Sequence, residues 1–268
     1  MPPSSSMRRL EHLSWPAVRA GAARPGSTVI WPFGAIEQHG PQLPLGTDAL
    51  FADRVCEAVL ERLDPALPIW RLPLQSLGFS AEHRGFPGTL SLGAELMLAL
   101  VQQVGADLAG AGFQRLVLFN AHGGQIGLLD AAARSLRDRH PRLAVLPCFL
   151  WRGLEGFQEL VGEPEASHGL HAGRAETSLM LHLSPDLTGP QRQADGPDLA
   201  AIPDGWSLEG AAPCTWRTLE LSASGVVGDP DGASAALGEA LFQRLVQGWE
   251  RRFDALLRSD WPPTAGPG

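Results

Sequence analysis

Lysine is absent from this 268-residue chain, whose 21 basic residues are all arginine. A Schiff-base lysine and the lysine of a P-loop are thereby excluded. Cysteine is scarce: Cys56, Cys148 and Cys214 are far apart and odd in number, so neither a disulfide framework nor a CxxC metal or redox motif is present. Each is expected to be a small buried apolar side chain. No G-x-S-x-G occurs, since "GFSAE" has Ala and Glu after its serine, and a nucleophile elbow is therefore missing. No run approaches the roughly 18 apolar residues of a membrane span. Arginines near the N-terminus lead into no apolar segment, so a secretory signal is not expected and the reading is cytoplasmic. Positive charge is also in deficit, 21 basic against 29 acidic residues for a net charge of -8, which argues against nucleic acid or an anionic membrane as partner. A small-molecule partner fits better.

What is present is an alternation of strand-like and helix-like runs, the pattern of an α/β fold with a mostly parallel sheet covered on both faces. "TVIWPFG", "PIWRLPL", "RLVLFN" and "RLAVLPCFLW" read as strands, the last two as buried ones. "DALFADRVCEAVLERLD", "LGAELMLALVQQVGADLAGAG", "QIGLLDAAARSLRDRHP", "HAGRAETSLMLHL" and the amphipathic "GASAALGEALFQRLVQGWERRFDALL" read as helices, with Asp48 at or near the N-cap of the first. Residues 1–262 are expected to form one domain, with 188–215 as a long surface loop and 263–268 as a disordered tail.

Polar residues gather where these strands end, the place where ligands bind in such sheets. In "GAIEQHGPQLPLGTD", Glu37 and His39 stand two apart, so an extended chain points both the same way, as two ligands of one metal centre require. Asp48 follows after the turn, where one carboxylate can bridge two cations and also cap the next helix. "FNAHGGQ" places His122 on a glycine turn at Gly123 and Gly124, open to close approach of a ligand. His171 and Glu176 flank a glycine at a helix start. Taken singly, Asp48 is an ordinary N-cap, Glu37 a solvated loop residue and His122 a turn residue, and two glycines hint weakly at a phosphate turn. Together they favour a metal.

"PFGAIEQHGPQLPLGTD", "EHRGFPGTLSLG", "FNAHGGQ" and "HAGRAETSLML" resemble, in order, the signature segments of the creatininase (creatinine amidohydrolase) family, from about residue 28 to residue 187. A weaker echo lies in "SGVVGDPDGASAALGEALF". The resemblance implies a three-layer α/β/α fold, a homo-oligomer such as a hexamer, and two divalent ions per chain, zinc, manganese or iron. It further implies hydrolysis of the C–N bond of a small amide by metal-activated water. Carried onto this chain, it assigns Glu37, Asp48 and His122 to one ion, and His39, Asp48 and Glu176 to the other. His171 becomes the proton shuttle or a substrate contact, and Glu176 joins it among the catalytic groups. Glu82 and His83 are the second choice for protonating the leaving nitrogen, although an exposed polar pair is the plainer reading. Trp151, with Gly123 and Gly124, would line the substrate pocket.

Departures from the family pattern bear on specificity. Where creatinine-hydrolysing members carry a glutamate two residues after the first of these histidines, this chain has Gly124, and where they have an acid before the later histidine it has Leu170. One of their pocket tryptophans corresponds to Trp151, and a second is replaced near Ser167. Creatinine is thus a poor expected substrate, and a formamide or another cyclic amide a better one. A catalytically silent, metal-stabilised scaffold of the same fold is the alternative.

Overall fold

In a computed structural model, residues 8–163, 165–191 and 202–263 are described. The elements are α1 (Trp15–Ala22), β1 (Thr28–Phe33), α2 (Thr47–Arg62), β2 (Ile69–Arg71), α3 (Ala94–Ala111), β3 (Arg115–Asn120), α4 (Ile126–Arg139) and β4 (Ala144–Phe149). There follow α5 (Phe157–Val161), α6 (Glu165–His168), α7 (Arg174–Leu183), α8 (Thr218–Leu221) and α9 (Ala235–Leu257). All four strands are parallel and lie in the order β2-β1-β3-β4.

Side chains alternate across the sheet and sort its two faces. Val29, Trp31 and Phe33 of β1 and Leu116 and Leu118 of β3 pack with Met97, Val101 and Leu108 of α3 and Leu129 and Leu136 of α4. Ile30, Val117 and Phe119 point the other way, into α2, α7 and α9, where Phe51, Val55, Leu179, Leu241 and Trp249 meet them. Each face thus buries a full layer of large apolar side chains, at roughly 1.5–3 kcal/mol apiece. The result is the expected three-layer α/β/α arrangement.

Two expectations about local structure need correction. Asp48 is not the N-cap of α2: the helix opens at Thr47 behind Gly46, and no side chain caps it. Its carboxylate is instead turned toward His39 and His122. β4 is an edge strand, only partly buried along most of its length, because nothing pairs beyond it. Of the cysteines, Cys56 is buried while Cys148 and Cys214 are half-buried. Burial pushes the thiols of Cys56 and Cys148 up to about 12, so both are inert. The short helices α1, α5, α6 and α8 carry too few periodic residues to be read in advance. Residues 192–201 of the expected surface loop, and 264–268 of the expected tail, lie outside the described residues. Among the described residues no helix is long and apolar enough to cross a membrane.

What matters for function is the edge where strands stop together. Phe33, Asn120 and Phe149 are aligned in register at the carboxyl ends of β1, β3 and β4. The order reverses direction between β1 and β3, which makes this crevice a topological switch point. Directly after β1 the backbone of Gly34 presses on α2: a Cβ there would sit 2.4 Å from the Ala49 Cα and 2.5 Å from its nitrogen. Only glycine lets the loop that follows reach the crevice alongside Asp48. Gly34→Ala should therefore overpack a backbone-on-backbone contact and cost about 1–3 kcal/mol, read as a lowered midpoint with unchanged slope in urea unfolding.

Candidate metal centre

Five segments supply the site. The loop after β1 brings Glu37 and His39, and the first turn of α2 brings Asp48. The loop after β2 brings residues 79–83, the turn after β3 brings His122, and the start of α7 brings His171 and Glu176. Side chains of Glu37 and His39 are fully buried, while those of Asp48 and His122 are 3% and 4% exposed. The five sequence-assigned metal ligands, Glu176 among them, are thus brought together, with His171 alongside.

Second partners decide which atoms the histidines offer. Nδ1 of His39 donates to the Glu37 carbonyl at 3.2 Å, which leaves its Nε2 lone pair facing Asp48 Oδ1 at 3.5 Å and Glu37 Oε1 at 3.9 Å. His122 is held the other way round. Its Nε2 donates to the Phe79 carbonyl at 3.0 Å, and Nδ1 lies 3.2 Å from both Glu37 Oε2 and Asp48 Oδ2. Lone pairs opposed to carboxylate oxygens at such distances repel unless a cation lies between them. Glu37 Oε1, His39 Nε2 and Asp48 Oδ2 are indeed buried with no hydrogen-bond partner. Unpaired buried polar atoms are expensive, and three converging on one spot fit a divalent ion.

Proton affinities express the same excess of negative charge. Burial alone depresses the His39 imidazole, but Asp48, Glu176 and Glu37 outweigh it and raise the ring to about 9. His122 is likewise lowered by burial and raised well above its ordinary value by Glu37, Asp48 and Glu82. Asp48 is raised by burial but held far below the usual carboxylate range by His39 and His122. Glu176 goes the opposite way: burial, against the pull of His39 and with the push of Asp48 and Glu37, lifts it to about 7. His171 is depressed well below its usual value by burial and by the neighbouring His83 and His39.

His171 and Glu176 owe their placement to backbone geometry. Ala172 is the one non-glycine residue at positive φ (55°) among the described residues. Its N–H donates to Glu176 Oε2 at 2.6 Å, and its carbonyl accepts from Gln42 Nε2 at 2.7 Å. Val227 pairs with the backbone of His171 in both directions, at 2.9 Å each way, which is how the "SGVVGDPDG" segment serves the site. His171 Nε2 donates to the Gln38 carbonyl at 2.7 Å, so Nδ1 keeps a lone pair toward Glu37 Oε1, 3.8 Å away.

Several residues escaped the sequence reading. Asn120 folds the turn back on itself, donating to the His122 carbonyl at 2.6 Å and accepting from the His122 N–H at 2.9 Å. Gln125 locks Asn120 at 2.8 Å and the Gly34 carbonyl at 3.1 Å. Ser80 donates to Glu37 Oε2. Glu82 and His83 are not an exposed pair: His83 is buried, with Nε2 3.4 Å from Glu37 Oε1, and Glu82 contacts His122. The amide of Gln38 donates to His83 Nδ1 at 2.8 Å, which keeps the ring hydrogen on Nε2. Trp151 does border a cavity of about 340 Å³ together with Phe157, Leu170, His171 and Glu176. The space beside Gly124 is filled by Glu82, whereas Glu176 groups with His39 and His171.

The pattern of the family described as Creatininase (creatinine amidohydrolase) matches residues 11–253. The chain belongs to the creatininase family. It is 35% identical over 226 residues to the mycofactocin precursor peptide peptidase of Mycolicibacterium smegmatis, covering 82% of this chain and 81% of that one. With the creatinine amidohydrolase of Pseudomonas putida it shares 31% identity over 267 residues, 94% and 96% of the two chains. Solved creatininases superpose closely. A manganese creatininase gives a TM-score of 0.75 at 27% identity over 94% of this chain and 99% of that one. A Zn-Zn type creatininase gives 0.75 at 27% identity over 94% and 98%. The chain is accordingly a hydrolase of the amidohydrolase kind, and its buried donor set suits a metal.

In the metal-free creatininase fold, His39 and Glu176 both hold protons more tightly than in an unfolded chain. Groups with raised folded values stabilise the fold at low pH and cease to do so as pH climbs through those values. Glu176 has lost its share by about pH 7 and His39 loses its share up to about pH 9, so the melting temperature of chelator-treated protein should fall as pH rises from about 7 to about 9 through His39. Added divalent metal should raise the melting temperature most at the alkaline end, where protons no longer compete for His39; a flat metal-free profile in differential scanning calorimetry counts against this charge balance. Asp48→Ala should lower metal content more than any other single ligand change, because its two oxygens face His39 and His122. Elemental analysis of Asp48→Ala beside His39→Ala decides it.

Proposed function

We propose that this chain is a metal-dependent hydrolase of a peptide-type amide, with substrate extending on both sides of the bond to be cut. The observation that carries the proposal is a pair of cavities meeting beside the centre. One, of about 340 Å³, is the Trp151 cavity. The other, of about 540 Å³, is bordered by Glu82, His83, His122, Trp216 and Arg217. Gly123, Leu170 and Glu209 border both, so the two lie side by side next to the His122 turn. Either alone matches the size of a small-molecule site. A single compact ring would leave one of them unfilled, whereas an amide with a residue on each side would use both. The 35% identity to relatives named as peptide peptidases points the same way. Against creatinine stands the lack of an acidic side chain at Leu170, worth roughly 1.5–3 kcal/mol toward a cationic ring if charge-assisted.

Glu37, His39, Asp48 and His122 would hold the metal, with Glu176 near His39. When bound, a divalent ion supplies Lewis acidity toward the amide carbonyl and makes water a competent nucleophile near neutral pH. The protein's own groups handle the protons. His171 is neutral and turns the Nδ1 lone pair inward, so it can accept a proton and pass it to the leaving nitrogen. Glu176, raised to about 7, can hold a proton at neutral pH and is the second group able to relay one. The flat face of Trp151 offers a wall for the acyl or leaving side. A silent scaffold would require neither the inward lone pair of His171 nor a carboxyl poised near neutrality.

The experiment is a competition among substrate classes. Metal-loaded protein is incubated with short peptides, formamides, lactams and creatinine, and products are followed by mass spectrometry. Peptide cleavage is the expected result, with His171→Ala lowering kcat by about 10²–10⁴-fold. Creatinine hydrolysis at a kcat/KM on the order of 10⁴ M⁻¹s⁻¹ or more, with peptides untouched, overturns the substrate reading. Hydrolysis of none of them by protein shown to hold metal overturns the enzymatic one.

A further inference from the structure

The segment 79–83 grips the centre at nearly every residue. The Phe79 carbonyl takes the His122 Nε2 hydrogen, Ser80 donates to Glu37, and His83 Nε2 faces Glu37. Glu82 completes the set, with Oε1 3.2 Å from His122 Nε2 and a side chain only 14% exposed. Among the described residues, His122 is the one charged partner within ion-pair distance of that carboxylate.

The room Glu82 occupies is made by a glycine. A Cβ on Gly124 would lie 1.6 Å from Glu82 Oε1, 2.5 Å from its Cδ and 2.7 Å from His122 Nε2. Gly124 does not have positive φ among the described residues, so backbone conformation does not demand glycine there. Space does. Any side chain at 124 and the Glu82 carboxylate are mutually exclusive. Gly123, one residue earlier, has nothing within 4 Å of an added Cβ, so the crowding is specific to position 124.

We propose that Glu82 is a positioning residue of the metal centre, entering from the loop after β2 through space that only a glycine at 124 leaves, and fixing His122 so that Nδ1 faces the ion. The proposal rests on the metal reading of the site. A carboxylate behind a ligating imidazole sets its tautomer and raises its basicity, and loss of such a partner typically costs about 10–100-fold in metal affinity. Gly124 is then half of a coupled pair, since adding a methyl group there should do to the centre what deleting the Glu82 carboxylate does.

The test is a double-mutant cycle read by metal binding, with Co²⁺ as the probe and its visible absorption as the signal. Full-length wild type, Glu82→Ala, Gly124→Ala, the double variant Glu82→Ala/Gly124→Ala and Glu82→Gln are stripped of metal, checked for native circular dichroism, and titrated. Glu82→Ala should bind Co²⁺ about 10–100-fold more weakly. Gly124→Ala should be weakened to a similar degree, and the double variant by clearly less than the product of the two losses, because the new methyl then enters room Glu82 has vacated and meets only His122 Nε2 at 2.7 Å. Glu82→Gln, which keeps shape and one acceptor, should fall between wild type and Glu82→Ala. A Gly124→Ala protein that binds Co²⁺ like wild type overturns the proposal, as does a double variant whose loss is the product of the two single losses. Wild-type protein that takes up no Co²⁺ at all would instead bring down the metal reading on which it stands.

Discussion

Everything at the carboxyl edge of the sheet answers to one electrostatic demand: buried carboxylates and imidazole lone pairs face one another and need positive charge between them. Glu37, Asp48, His39 and His122 lie almost wholly out of water, where unscreened repulsion is several times larger than at a surface. Neighbouring backbone carbonyls hold the rings so that the lone pairs cannot turn away. A proton on either imidazole relieves the repulsion partly. A divalent ion relieves it fully and leaves His171 neutral beside it. The glycines at 34 and 124, the left-handed Ala172 and the buried Gln38 and Gln125 all serve to hold that arrangement against its own repulsion.

The fold was readable because its signal is periodic. Alternate residues of β1 and β3 are apolar on both faces, so the strands had to be covered twice, and helices between parallel strands were the natural cover. The centre was partly readable for a different reason: Glu37, His39, His122, His171 and Glu176 stand within three residues of a Gly where strands end and helices begin, and such polar insertions are visible in one dimension. Of the two roles read for Asp48, a carboxylate serving two cations and a helix cap, the structure overturns only the cap. The residue belongs to the helix's first turn and faces the histidines, but Gly46, not Asp48, occupies the capping position.

What stayed hidden is everything set by contact across the chain. "GFSAEH" reads as a solvated loop because no local pattern tells that Ser80 and His83 will face Glu37 or that Glu82 will face His122. Gln38, Asn120 and Gln125 look like generic turn residues until their amides are seen bridging loop to loop. The glycine at 124 was legible as a departure from the family pattern, but its physical meaning was not, since the group that fills the gap comes from a segment forty-odd residues earlier. Absence of a side chain became informative only once its neighbour was known.

The strand ends that align at Phe33, Asn120 and Phe149 belong to segments far apart in the chain. Glu37, His39 and Asp48 come from one stretch, but the full donor set also needs the distant segments that carry His122 and Glu176. Such non-local pairing forms late, after loop-closure entropy has been spent. A bound ion holding the full set would thus be a cross-link available only to a chain that has already assembled its sheet and docked α7, and its capture would lower the free energy of that state alone. Metal supply would in that way set how much of the newly made chain persists as folded protein, independently of any role in turnover.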